Sequence, residues 1–261
     1  MRIAAIVHVY YPEFWPELAA CLRNLGDGLD LFVTYGSESA VAAARRDFPN
    51  ATFVACETRG YDVWPFLKVL QTLDLAAYDA IVKLHTKRDV DDGIDYRFNH
   101  CRYNGSAWRD YLLAFVRTPE AWARTVRRLR RPQVGLVADR HVILRRCDVP
   151  LERTRKSFDA AADFLQLTPA QAKRGEYVAG TMFAAKPAAL RPLLFRAYRA
   201  EDFDAPCGHV TETFAHLLER ALGLAVVKAG CRLAAFNGSL ALRRALFPIR
   251  RKLEKLARHF R

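Results

Sequence analysis

The first apolar run, IAAIVHV (3–9), ends after seven residues at YYPE, too short for a membrane span and without the cleavage pattern of a secretory leader. Cysteine is unpatterned: Cys21, Cys56, Cys101, Cys147, Cys207 and Cys231 form no C-x-x-C pair and no metal-ligand spacing, so reduced, mostly buried thiols are expected. Glycine (13) and proline (12) are too few for a collagen or a low-complexity chain, and 11% aromatic residues exclude a coiled coil. No G-x-G-x-x-G follows the first strand, and neither G-x-x-x-x-G-K-[ST] nor H-E-x-x-H occurs, which disfavours a Rossmann dehydrogenase, a P-loop enzyme and a zincin. No internal repeat or Gly/Ser-rich linker divides the 261 residues.

What is present is an ordinary globular composition, 51% hydrophobic and 26% charged, with a net charge of +13. Residues 243–261 hold eight basic and one acidic side chain, +7 of that total, so the remainder is moderately basic. Within that tail Leu242, Leu246, Ile249, Leu253, Leu256 and Phe260 recur at helical spacing. A basic amphipathic helix over 241–261 fits an anionic membrane surface; a helix packed on the core with a solvated basic back fits it as well. Arg124, Arg127, Arg128, Arg130 and Arg131 supply a second basic face. Nucleic acid is not the expected partner, since no recognition motif or interleaved basic–aromatic surface accompanies the charge.

Through residue 88 short apolar runs alternate with helix-period stretches: IAAIVHV, PELAACLRNL, LDLFVTY, SAVAAARRDF, ATFVAC, WPFLKVLQTL and AIVKLH. Strands this apolar predict an α/β fold, a mostly parallel sheet flanked by helices, with ligands beyond the strand C-terminal ends. The second half reads as helices over SAWRDYLLAFV, PEAWARTVRRL, SFDAAADFLQL and TETFAHLLERAL, with strand-like QVGLVA, YVAGTMFAA and LAVVKA between them. We expect one domain over 1–240, or two closely fused layers, with halves at 1–88 and 106–240. The polar segment 89–105 is expected to be a loop, either mobile beside the crevice or a plain solvated connection.

The strand ends supply the candidate residues. His8 and Tyr10 close the first strand, and Lys83, His85 and Lys87 alternate along the fourth, so that they share one face. Two lysines flanking a histidine suit an anionic ligand such as a diphosphate; otherwise His85 is a satisfied core histidine and Lys87 and Arg88 an exposed turn. After the third strand, Arg59, Gly60 and Asp62 precede a helix, where Asp62 either caps that helix or holds a sugar hydroxyl. The small Gly180 and Thr181 either let the backbone approach a ligand closely or serve packing.

Five blocks, HVYYP (8–12), ETRGYDVWPFL (57–67), KLHTK (83–87), AGTMF (179–183) and HLLER (216–220), resemble in order and spacing the rhamnan synthesis protein F family of bacterial polysaccharide glycosyltransferases. The resemblance covers residues 3 to about 225 and departs at Thr58 and Asp89, where the family favours Asn and Ser. It implies a GT-A-like nucleotide-diphospho-sugar transferase fold, with 1–88 as its nucleotide-binding half, 106–240 as its acceptor and catalytic half, and a donor site that includes His216 and Arg220. GT-A enzymes usually end the fourth core strand in Asp-x-Asp on a divalent cation; here it ends in His85-x-Lys87, so cations are expected to replace the metal and no metal or other cofactor is expected. Glu212, near the start of a helix, is by that likeness the base that deprotonates the acceptor, or else a first-turn acid favourable to the helix dipole. The implied activity is transfer of rhamnose or a related sugar, with inversion, from a nucleotide-diphosphate donor to a cell-surface polysaccharide or lipid-linked acceptor. The enzyme would be cytoplasmic, peripheral on the inner face of the cell membrane. The competing readings are a non-catalytic basic module and a silent partner of another transferase.

Overall fold

The structure is a computed structural model that describes residues 1–89, 96–98, 101–103, 105–148, 152–205 and 213–240. The basic tail over 241–261, His209, Glu212 and most of the 89–105 segment therefore lie outside the described residues. Within 89–105 a two-stranded antiparallel hairpin, β5 (Tyr96–Phe98) and β6 (Cys101–Tyr103), stands where only a loop was expected.

Strand β1 (Ile3–Val9) is buried at every residue, and β2 (Leu29–Tyr35) and β4 (Ala80–His85), both parallel to it, pair with its two edges. An all-apolar run is the sequence form of such a doubly covered position. β3 (Thr52–Ala55) extends the sheet beyond β2, again in parallel. On the other side β4 pairs antiparallel with β10 (Phe183–Ala185), β10 pairs antiparallel with β7 (Val134–Ala138), and β11 (Arg232–Ala235) closes the row parallel to β7. The seven-stranded order is β3-β2-β1-β4-β10-β7-β11, mostly parallel with one reversed strand, and it joins both halves of the chain in one sheet. Helix α1 (Trp15–Arg23) packs on α2 (Ala42–Asp47), and α3 (Val63–Leu70) lies on β1 and β2. After α4 (Ala107–Leu113), α5 (Pro119–Leu129) covers β7, with Thr118 capping it through a hydrogen bond from Ala121 N–H. This is the α/β sheet with flanking helices that the strand pattern predicted.

Two expectations from the second half are corrected. YVAGTMFAA is not one strand: β9 (Glu176–Val178) pairs with β8 (Ile143–Arg145), and the chain then turns through Gly180 (φ +76°) and Thr181 (φ +53°) before β10 enters the main sheet. LAVVKA is not a strand either. It ends α9 (Phe214–Lys228), in which Leu222, Leu224, Ala225 and Val226 are all buried. α9 packs on α6 (Glu152–Phe164), α7 (Pro169–Arg174), α8 (Pro187–Leu190) and β9, so it is enclosed on several sides and its apolar run carries no helical stripe. Among the described residues no helix is long and apolar enough to cross a membrane.

Candidate functional site

The polar groups of the sheet gather at the C-terminal ends of β1, β2 and β4. Lys83 is 1% exposed, a burial that an ammonium tolerates only with partners. Its Nζ donates to Asp62 and, at 2.7 Å, to Thr181 Oγ1, while the Thr181 hydroxyl donates to Asp62. Asp62 precedes α3 but makes no capping bond, which removes the capping reading of that residue: its carboxylate turns inward to Lys83 and Thr181. Burial opposes the ionised form of Asp62, but His85 in its protonated form, the Lys83 charge and the two hydrogen bonds outweigh it and hold its carboxyl well below the usual range. Burial likewise lowers Lys83 from the ordinary lysine value, with Asp62 opposing.

The turn that delivers Asp62 is built for this. Gly60 has φ +61°, and a Cβ there would come within 2.5 Å of Phe203 Cδ1 and 2.8 Å of Trp64 Cβ, so no side chain fits. Tyr61 follows at φ +53°, its ring exposed and edge-on to His216 at 5.5 Å. Glu57 braces the turn by accepting from Trp64 Nε1 at 2.9 Å and pairing with Lys68 at 3.1 Å. Its carboxyl is held at about 2, first by its own backbone N–H and then by Trp64. Arg59 does not join the cluster; its Nη1 donates to the Phe203 carbonyl at 2.9 Å.

Register places His8 opposite Thr34 on one side and His85 on the other. The Thr34 hydroxyl donates to Val7 O at 3.3 Å, so at 3.1 Å it accepts from His8 Nδ1. His85 Nδ1 is buried without a hydrogen bond, 3.6 Å from Asp62 Oδ2. Burial drives His8 down to about 4 and His85 to about 3, with the Lys83 charge adding to both, so each ring is neutral at pH 7. This corrects the expected row of three cations: Lys83 is paired and His85 uncharged. Half-buried Lys87 and exposed Arg88 are the cations of this strand end that reach solvent.

Thr86, which the sequence reading passed over, fixes the rim. Its hydroxyl accepts from both Tyr10 N–H (2.9 Å) and Tyr11 N–H (2.8 Å), and its own N–H donates to His8 O at 3.0 Å. The Tyr10 ring is thereby held exposed at the edge. Opposite, Gly180 N–H donates to Glu219 Oε1 at 2.9 Å, and Arg220 Nη1 donates to Glu219 Oε2 at 2.5 Å and to His216 O at 2.8 Å. Arg220 Nε is buried without a partner. His216 Nδ1 lies 2.7 Å from Thr213 Oγ1, and burial lowers its pKa, with Glu219 and Asp62 pulling it up and Arg220 pushing it down. The fold thus brings Asp62, Lys83, His85, Gly180 and Thr181 together and sets His8, His216 and Arg220 beside them. A depression of about 500 Å³ lined by Asp30, Phe48 and Tyr78 lies instead at the N-terminal end of β2, remote from these groups.

Among the described residues no group of three or more histidine, cysteine, aspartate or glutamate side chains is placed to hold a metal ion, and at this strand end Asp62 Oδ2 takes the Lys83 ammonium and the Thr181 hydroxyl.

Comparison with known proteins adds the family. Two proteins of Xanthomonas campestris pv. campestris, both described as uncharacterized protein WxcX, from strains B100 and ATCC 33913, are each 27% identical over 244 residues. The match takes in 91% of this chain and 33% of each relative, so the chain spans about one third of the length of these curated relatives. Two solved structures of Mycobacterium tuberculosis glucosyl-3-phosphoglycerate synthase are similar at low level. One, with Mn2+, UDP-glucose and phosphoglyceric acid, has a TM-score of 0.39 and 14% identity over 95% of this chain and 76% of that one. The other, with Mn2+, UDP and glucosyl-3-phosphoglycerate, has 0.35 and 12% over 72% and 58%. The description rhamnan synthesis protein F matches residues 1–230, from just before β1 to two residues past α9, and so takes in every strand-end group described above: the chain belongs to the rhamnan synthesis protein F family.

Proposed function

We propose that this chain is a glycosyltransferase that moves a sugar, rhamnose or a relative of it, from a nucleotide-diphosphate donor to a growing cell-surface glycan or lipid-linked acceptor. The observation that carries the reading is the buried Lys83–Asp62–Thr181 network at the C-terminal edge of a mostly parallel sheet, where such sheets bind ligands. Family membership supports the same class of reaction.

In this reading the donor diphosphate lies over the ends of β1 and β4. Lys87 and Arg88 face solvent there and neutralise the charge that develops on the leaving diphosphate, without a divalent metal. Lys83 acts one layer down, holding Asp62 and Thr181 in one arrangement. The exposed rings of Tyr10 and Tyr61 offer stacking faces for the base or the sugar. The proton of the acceptor hydroxyl must go to a base, for which the family resemblance offers Glu212. Association with the inner membrane face through the 241–261 tail would bring the enzyme to a lipid-linked acceptor.

The test is thermal unfolding with UDP-, dTDP-, GDP- and CMP-sugars, with and without chelator. One nucleotide class is expected to raise the melting temperature selectively and to do so equally in chelator. No shift with any donor would sink the transferase reading, and a shift abolished by chelator and restored by Mn2+ would sink its metal-free form.

A further inference from the structure

The C-terminal end of β7 carries a second polar constellation, which nothing in the reading above uses. Asp139 directly follows the strand and is 1% exposed. Its carboxylate receives three donors: on Oδ1, His141 N–H and His141 Nδ1, both at 2.7 Å, and on Oδ2, Asn237 Nδ2 at 2.7 Å. Asn237 comes from the segment after β11, and its Oδ1 accepts from Arg140 N–H at 3.1 Å, so the turn is locked to the neighbouring strand. A carboxylate oxygen only accepts, so His141 Nδ1 carries a proton, and in the neutral form of the ring the lone pair is then on Nε2. The ring of Tyr111, from α4, lies 4.4 Å from that imidazole.

This constellation adjoins the Lys83 cluster. β7 runs in the same direction as β4, with β10 reversed between them, so both strands end at one edge. In the β8–β9 ladder Ile143 pairs with Val178, and Ala179 N–H donates to Val142 O at 2.9 Å. One further step sets His141 opposite Gly180, the residue before the Thr181 that binds Lys83 and Asp62. α4 spans the two: a Cβ on Gly180 would come within 2.9 Å of Trp108, while Tyr111 of the same helix meets His141.

We propose that His141, oriented by Asp139, is the general base that takes the proton of the acceptor hydroxyl. The inference rests on the transferase reading and gives to His141 the step for which the resemblance offers Glu212. The proton passes from the hydroxyl to Nε2, and the hydroxyl oxygen bonds to the anomeric carbon. The bond from that carbon to the diphosphate oxygen breaks, and its electron pair leaves on the nucleoside diphosphate. Asp139 is a positioning residue: it keeps the Nδ1–H tautomer and stabilises the imidazolium once formed.

The experiment measures nucleoside diphosphate release, with water standing in for the acceptor, from whichever of UDP-glucose, GDP-mannose and dTDP-rhamnose the native chain turns over. His141→Ala is expected to lose about 10²–10⁴-fold in rate while the melting-temperature shift with that donor stays native. Added imidazole is expected to restore at least about tenfold to His141→Ala and nothing to Glu212→Gln, a rescue that a purely structural role would not give. His141→Asn provides the same comparison should the alanine variant fold poorly, and Asp139→Asn is expected to lower the rate with donor binding intact. An active native chain with His141→Ala or His141→Asn within threefold of it overturns the assignment alone, as does loss of activity that imidazole leaves unrescued. A native chain inert towards all three donors overturns the transferase reading and this inference with it.

Discussion

Lys83 and Arg117 each hold two oxygen partners, but in opposite surroundings. Lys83 binds Asp62 and Thr181 with its side chain 1% exposed, whereas Arg117 binds Glu17 and Asp110, at 2.8 and 2.9 Å, with its side chain 37% exposed. Water already solvates the second set and salt screens it, so little is gained or lost when a member leaves. The first set has no such reserve. Removing Asp62 leaves the Lys83 ammonium charged and dry, and removing Lys83 leaves the Asp62 carboxylate charged with its side chain only 21% exposed, so the arrangement is held at a single geometry. For a site that must present fixed groups to a ligand, the buried set carries the structural information and the surface set tolerates change.

The contrast is broken most sharply at Lys83. Lys83→Met is expected to cost about 3–5 kcal/mol in urea unfolding, and Lys83→Met with Asp62→Leu to recover much of that. A loss under about 1 kcal/mol from the single variant would show that the pair is not dry. Acid exposes the same burial through the histidines. His8 and His85 ionise at about 4 and about 3 in the folded chain, against 6.5 when unfolded. As pH falls below 6.5 the unfolded chain takes up protons that the folded chain refuses, so stability is complete above 6.5 and declines below it. With a slope that approaches about 1.4 kcal/mol per pH unit for each ring, the fall from pH 6.5 to 5 comes to about 3 kcal/mol. His85→Asn is expected to halve that slope, whatever it does to stability at pH 7. The smallest effect belongs to the surface: Arg117→Ala is expected to cost about 0–1 kcal/mol and to lose even that in 1 M salt.

The parallel strands were legible because each is an apolar run that stops at a polar residue, as AIVKLH stops at His85 before the polar Thr86 and Lys87. The alternation of Lys83, His85 and Lys87 was equally visible and rightly drew attention to this strand end. What the lysine does there was not visible. Its partners stand 21 and 98 residues away, and no local spacing links an aspartate before one helix to a threonine before a later strand. The same holds for Asp139 and His141: no local spacing marks them, and Asn237, which joins them, lies 98 residues on. LAVVKA misled for a different reason. A short run of buried β-branched and small residues has the same appearance in an enclosed helix as in a strand, and only the packing of α9 decides between them.

Because β10 runs against its neighbours, its first residue rather than its last faces the crevice, and the site gains a member, Thr181, that enters a strand instead of leaving one. Chain length is thus free to vary in different places on the two kinds of strand. Residues inserted after Ala185 would emerge at the far edge, beside Lys186 where it binds Arg131 O, and leave the crevice untouched. Residues inserted between Val178 and Phe183 would land in its wall, so within this sheet the reversed strand sets where relatives can diverge in length without redrawing the surface of the crevice.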